Sequence, residues 1–128
     1  MASLAALGIV SSDIAESCRF YRTLGVDVGE PAEDDDHFET TLTNGLRLMW
    51  DTEEMIRKLD PEWQRPTEGH AMALAFECSS APEVDQTYAR VVGAGFKGKT
   101  EPYDAFWGQR YATVDEPDGN SVDLFATL

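Results

Sequence analysis

The chain has 128 residues, 42% of them hydrophobic, with 24 acidic and 10 basic side chains and a formal net charge of −14. That length suits a single domain (residues 1–128) able to bury roughly two-thirds of the surface its unfolded form exposes, without disulfide or metal staples. So negative a field repels phosphate backbones and draws in cations, and no apolar run reaches the roughly 18 residues of a membrane helix; neither nucleic acid nor membrane is an expected partner, and the chain reads as cytoplasmic.

Residues 3–11 are apolar and read as a strand that ends at Ser12-Asp13, a good helix cap. Ile14, Ser17, Cys18, Tyr21 and Leu24 then recur at helical spacing until Gly25 stops the helix. Residues 26–29 predict a short strand and residues 30–36 an acidic loop. His37–Leu42 alternates as a strand, Asn44-Gly45 signals a two-residue hairpin, and residues 46–51 form its partner strand, with Leu46, Leu48 and Trp50 on one face. Residues 52–58 suggest one or two helical turns, and residues 60–69 a polar connection carrying Trp63.

The second half repeats the order. Residues 72–78 read as a strand, and Pro82 suits the first turn of a helix whose stripe is Val84, Tyr88, Val91 and Val92, ended by Gly93 and Gly95. Residues 96–100 follow as a strand, 102–108 as a loop and 109–114 as a strand. Pro117-Asp118-Gly119-Asn120 is a tight turn, and residues 121–126 close as a strand. The fold class is α+β: two βαβββ modules (1–51 and 70–128, linker 52–69) forming a curved mixed sheet with helices outside and a central cavity. Cys18 and Cys78 lack any paired spacing and read as small buried residues.

Three stretches carry a resemblance. Ile9-Val10-Ser11-Ser12-Asp13 through Phe20-Tyr21-Arg22-Thr23-Leu24-Gly25, Ala73-Leu74-Ala75-Phe76-Glu77, and Trp107-Gly108-Gln109-Arg110-Tyr111 through Asp115-Glu116-Pro117-Asp118-Gly119-Asn120-Ser121-Val122-Asp123-Leu124 together resemble the glyoxalase/bleomycin-resistance (vicinal-oxygen-chelate) superfamily. The resemblance implies paired modules around a U-shaped cavity, often within a homodimer. In the family's metalloenzymes four His, Glu or Gln ligands line that cavity. The matching positions here are Ala6, Arg47, Ala73 and Asp123. Two alanines have no donor atom and a guanidinium cannot ligate, so no metal and no other cofactor is expected. His37, at the edge of the acidic loop, and His70 read as surface residues.

If Ala6 and Ala73 face inward, alternation also turns inward Gly8 and Val10, Arg47, Met49 and Asp51, Ala75 and Glu77, and Ser121, Asp123 and Phe125. Phe38, Trp63, Tyr103, Phe106, Trp107 and Tyr111 are candidate flat walls for a planar ligand. The expected ligand-binding set is Phe38, Arg47, Met49, Asp51, Trp63, Trp107, Tyr111, Asp123 and Phe125, with no catalytic residue assigned. Arg47 and Asp123, at equivalent positions of the two halves, either pair with each other or anchor a polar ligand.

The leading functional expectation is a metal-free binding protein that sequesters an aromatic or cationic metabolite or antibiotic, as the acidic bleomycin-resistance proteins of this family do. The alternative is an enzyme, either a lyase, isomerase or dioxygenase with an atypical site or a metal-free catalyst using Glu77 or Asp123. A third reading is a regulatory module whose inward face is filled by side chains.

Overall fold

Where the sequence alternates or steps at helical spacing, elements form. A computed structural model of the chain describes residues 3–67 and 72–128. It folds as two compact units, Met1–Thr67 and Glu68–Leu128.

The first unit runs β1 (Ala6–Ser11), α1 (Ile14–Leu24), β2 (His37–Thr41), β3 (Arg47–Thr52) and α2 (Glu53–Leu59). Its sheet has the order β1-β3-β2, with β1 parallel and β2 antiparallel to β3. Asp13 caps α1, its side chain accepting from the Glu16 amide at 3.1 Å, and Gly25 closes it at φ 114°, a conformation that costs other residues strain. The buried stripe of α1 packs on β3, with the Tyr21 ring 5.4 Å from that of Trp50. Leu48 and Trp50 are fully buried there.

The second unit runs β4 (Ala73–Glu77), α3 (Ala81–Gly93), β5 (Lys97–Ala105), β6 (Gln109–Asp115) and β7 (Ser121–Thr127). The sheet order is β4-β7-β6-β5, with only the β4/β7 pair parallel. Helix α3 lies across β5, β6 and β7 and buries Val84 and Val91 against Ala112, Val114, Val122 and Leu124. A Cβ at Gly98 would fall 2.2 Å from Tyr88 Oη, so the helix approaches β5 closely only because that position has no side chain. The turn between β6 and β7 is locked by buried Glu116, whose Oε1 accepts from the Asp118 and Asn120 amides and from Asn120 Nδ2 at 2.7–2.9 Å.

Four expectations need correction. Residues 26–29 form no strand: Arg22 donates to the Val28 and Gly29 carbonyls and Thr40 Oγ1 to that of Asp27, so side chains satisfy groups a ladder would otherwise use. The β2–β3 turn has three residues, since the Leu42 amide bonds the Leu46 carbonyl and only Gly45 has positive φ; a two-residue type I′ turn needs positive φ at both positions. Residues 102–105, expected in a loop, continue edge strand β5, which accommodates Pro102 at the register shift between Thr100 and Tyr103. On α3, Val84 and Val91 are buried as expected, but Val92 is exposed and Thr87 is buried in addition.

Trp50 Nε1 is buried without a hydrogen-bond partner among the described residues. Trp50→Ala should therefore cost about 3–5 kcal/mol through the cavity it leaves. Trp50→Phe, which keeps an aromatic ring and removes the unpaired N–H, should cost less than half as much. Urea unfolding of the two variants checks the order.

Candidate functional site

Register places the site groups. In the first unit the pairs Ala6↔Arg47, Gly8↔Met49 and Val10↔Asp51, with His37↔Asp51, Glu39↔Met49 and Thr41↔Arg47, set these nine residues on one face. The opposite face carries Leu48 and Trp50 against α1. On the open face His37 Nδ1 lies 2.6 Å from Asp51 Oδ1, and its Nε2 lies 3.5 Å from Glu39. Arg47 donates from Nε to Glu39 Oε2 at 2.6 Å and from Nη2 to Met49 Sδ at 3.2 Å. The hydrogen bond to Asp51, with Glu39 adding to it, raises the His37 pKa, while the Arg47 bond lowers that of Glu39.

In the second unit the pairs Thr113↔Asp123, Tyr111↔Phe125 and Tyr103↔Tyr111, with Ala75↔Asp123 and Glu77↔Phe125, define the corresponding face. Asp123 accepts from Tyr111 Oη at 2.6 Å and from Thr113 Oγ1 at 2.9 Å, one bond to each carboxylate oxygen. Burial first, and then that carboxylate, push the Tyr111 pKa up to about 12. Around Tyr111 stand Tyr103 and Trp107, ring centroids 6.3 and 5.4 Å away, and Phe106 meets Trp107 edge-on at 5.0 Å. The outer rings are open to solvent, Phe106 98% and Trp107 48% exposed, while Tyr111 is half-buried. The tight turn that ends at Gly108, whose amide bonds the Ala105 carbonyl, projects the last two.

Of the residues expected to bind ligand, Arg47, Met49 and Asp51 share the first face, and Tyr111, Asp123, Phe125 and Trp107 gather on the second. Phe38 pairs with Trp50 in the register and so lies on the other side of β2 from His37 and Glu39. Trp63 is covered by its own chain, with the Arg57 and Arg65 guanidinium groups 5.3 and 5.7 Å from its ring centroid. Arg47 and Asp123 are each engaged within their own unit, the one by Glu39 and the other by Tyr111 and Thr113. His70 lies outside the described residues. Sequence reasoning missed the His37–Asp51 and Glu39–Arg47 pairs.

The donor set at the four positions matched to metal ligands does not fit a divalent ion. Ala6 and Ala73 bring no donor, Arg47 is a cation in an ion pair, and the oxygens of Asp123 already accept from two hydroxyls. Among the described residues no three His, Cys, Asp or Glu side chains converge on a point that could hold one.

Comparison with known proteins gives a consistent picture. The family model for the Glyoxalase/Bleomycin resistance protein/Dioxygenase superfamily matches residues 3–124. Similar solved structures include a glyoxalase/bleomycin resistance protein/dioxygenase family enzyme from Burkholderia phytofirmans PsJN, with TM-score 0.84 and 20% identity over 99% of this chain and 100% of that one. A glyoxalase-related enzyme from Fulvimarina pelagi has TM-score 0.83 and 20% identity, covering 99% and 89%. A glyoxalase/bleomycin resistance protein/dioxygenase from Nocardioides has TM-score 0.78 and 25% identity, covering 100% and 85%. No curated protein matches the sequence.

The raised pKa of His37 has a stability consequence of definite sign. Folding favours its protonated form, so that contribution is complete below the ordinary value near 6.5 and fades as pH rises through the folded value. Asp51→Asn removes the main cause. The difference in urea midpoint between wild type and this variant should be largest at the acid side of that window and shrink towards alkaline pH.

Proposed function

The chain belongs to the Glyoxalase/Bleomycin resistance protein/Dioxygenase superfamily, and on that premise we propose that it is a binding protein that sequesters a small planar cation, without a divalent metal. The observation that carries this reading is the aromatic group beside Asp123, in which the exposed rings of Tyr103, Phe106 and Trp107 gather around half-buried Tyr111. Solvent-exposed aromatic side chains that cluster mark binding sites more often than scattered ones do.

The chemistry favours a flat, positively charged molecule. Ring faces attract a cation with about 0.5–2 kcal/mol each, and ring stacking adds burial at roughly 25 cal/mol per Å², less the cost of immobilising the ligand. Asp123 keeps its negative charge close to the rings, and the net charge of −14 raises the encounter rate of cations. Phe125, opposite Tyr111 in the register, extends the apolar floor. Arg47, Met49 and Asp51 lie on the face of the other sheet and are not needed for this contact. The reading includes a cytoplasmic location and the homodimer implied by the family, which light scattering checks. Among the described residues no helix is long and apolar enough to cross a membrane.

Proflavine, a planar cationic acridine, should bind saturably in calorimetric titration, and acridine, uncharged at neutral pH, should bind more weakly. Trp107→Ala should weaken proflavine about tenfold, the loss expected for one stacked ring. Chelation with EDTA should leave the affinity unchanged. An affinity equal in wild type and Trp107→Ala would end the proposal.

A further inference from the structure

The binding reading leaves the open face of the first sheet unused, although that face holds the most chemically organised cluster among the described residues. His37 stands at the start of edge strand β2, directly across from Asp51 on β3. Its imidazole is 40% exposed and the Asp51 side chain only 18%, so the carboxylate backs the ring and the ring faces outward. A hydrogen bond from Nδ1 to a carboxylate fixes the tautomer of the neutral ring and leaves the lone pair on Nε2.

The neighbours complete the arrangement. Glu39, 3.5 Å from Nε2, is held by Arg47, which is itself steadied by Met49. Its charge is thus shared with a guanidinium instead of being directed at His37 alone. Asp36, next to His37 in the chain, lies 3.7 Å from Lys58 Nζ. From β1 the face receives Ala6, Gly8 and Val10, none of them ionisable, and a Cβ at Gly8 would meet only Met49 Cε, at 3.8 Å. Beyond Asp51 and Glu39, the part of the face that β1 supplies is therefore low and uncharged. Register sets the pair in place, and an exposed pair of this kind contributes little to stability.

We propose that His37 is a proton-transfer group and Asp51 its positioning residue, acting on a small carbon acid or comparable proton donor seated on this face. In the step, a C–H bond of the substrate breaks and an Nε2–H bond forms. The electron pair released passes into an adjacent multiple bond or leaving group. The imidazolium is stabilised by Asp51 and later returns its proton to product or solvent. Only protons and electron pairs move, so no oxidant, metal or co-reactant is required.

5-Nitrobenzisoxazole tests this without knowledge of the natural substrate. Removal of its ring C–H proton sends the electron pair into a nitrile, breaks the N–O bond and releases a coloured phenolate. The wild-type chain should release phenolate at least about tenfold faster than the same concentration of free imidazole, and His37→Gln should fall to the background rate. The rate should rise with pH through a midpoint above that of free histidine, and Asp51→Asn should move that midpoint down. A purely structural pair would leave both rate and midpoint unmoved. Nitrogen NMR of the wild type supplies a readout independent of whether the variants fold: the neutral ring should carry its proton on Nδ1. A wild-type rate no greater than imidazole, a His37→Gln rate equal to wild type, or a proton on Nε2 overturns the proposal.

Discussion

The parallel pairing of the first and last strands of each unit governs the rest. Parallel neighbours need a long crossover, and a single helix supplies much of it in both units, α1 between β1 and β3 and α3 between β4 and β7. The helix covers one face of its sheet, and strand alternation sends Leu48 and Trp50, or Val122 and Leu124, to that face. The alternate residues, Arg47, Met49 and Asp51 or Asp123 and Phe125, are left on the open side, beside strands that carry the small residues Ala6, Gly8, Ala73 and Ala75. A slip of one residue in either pairing would exchange core and site completely.

That constraint also explains why polar groups on the open faces need no ion to satisfy them. Cross-strand neighbours are about 5 Å apart, close enough for side chains to meet directly. Glu39 reaches Arg47, Asp51 reaches His37, and Asp123 collects two hydroxyls from β6. Each carboxylate therefore has a partner fixed by register, and the positions that would have to contribute metal ligands are either apolar or committed.

Much of this was legible in the sequence. Caps at Asp13 and Gly25, the helical stripe of α1, the turn at Pro117–Asn120 and the identity of the bulky and small strand faces all follow from local rules that the structure obeys. The hairpin was the costly exception. A two-residue turn at Asn44-Gly45 would set Phe38 opposite Asp51, placing an aromatic on the site face. The three-residue turn sets His37 there instead, with Phe38 beside Trp50. A single residue of loop length thus decided whether β2 offered a flat wall or an acid–base group. The aromatic group around Trp107 was visible as a composition of rings, but its assembly depends on β5 continuing past Pro102 to bring Tyr103 beside Tyr111.

The two open faces differ most in how their charge is balanced, and this separates their uses. On the first face His37 and Arg47 stand against Glu39 and Asp51, so with His37 protonated the cluster is neutral. Such a group neither attracts nor repels an ion strongly; what it offers is a proton whose affinity for the ring is set by two carboxylates. On the second face Asp123 is solvated by Tyr111 and Thr113, neutral hydroxyls that stabilise the anion without cancelling it. The uncancelled charge extends to the aromatic rings beside it, where a cation gains from both the carboxylate and the ring faces. The charge balance therefore accords with the two proposals, cation capture on the second sheet and proton transfer on the first.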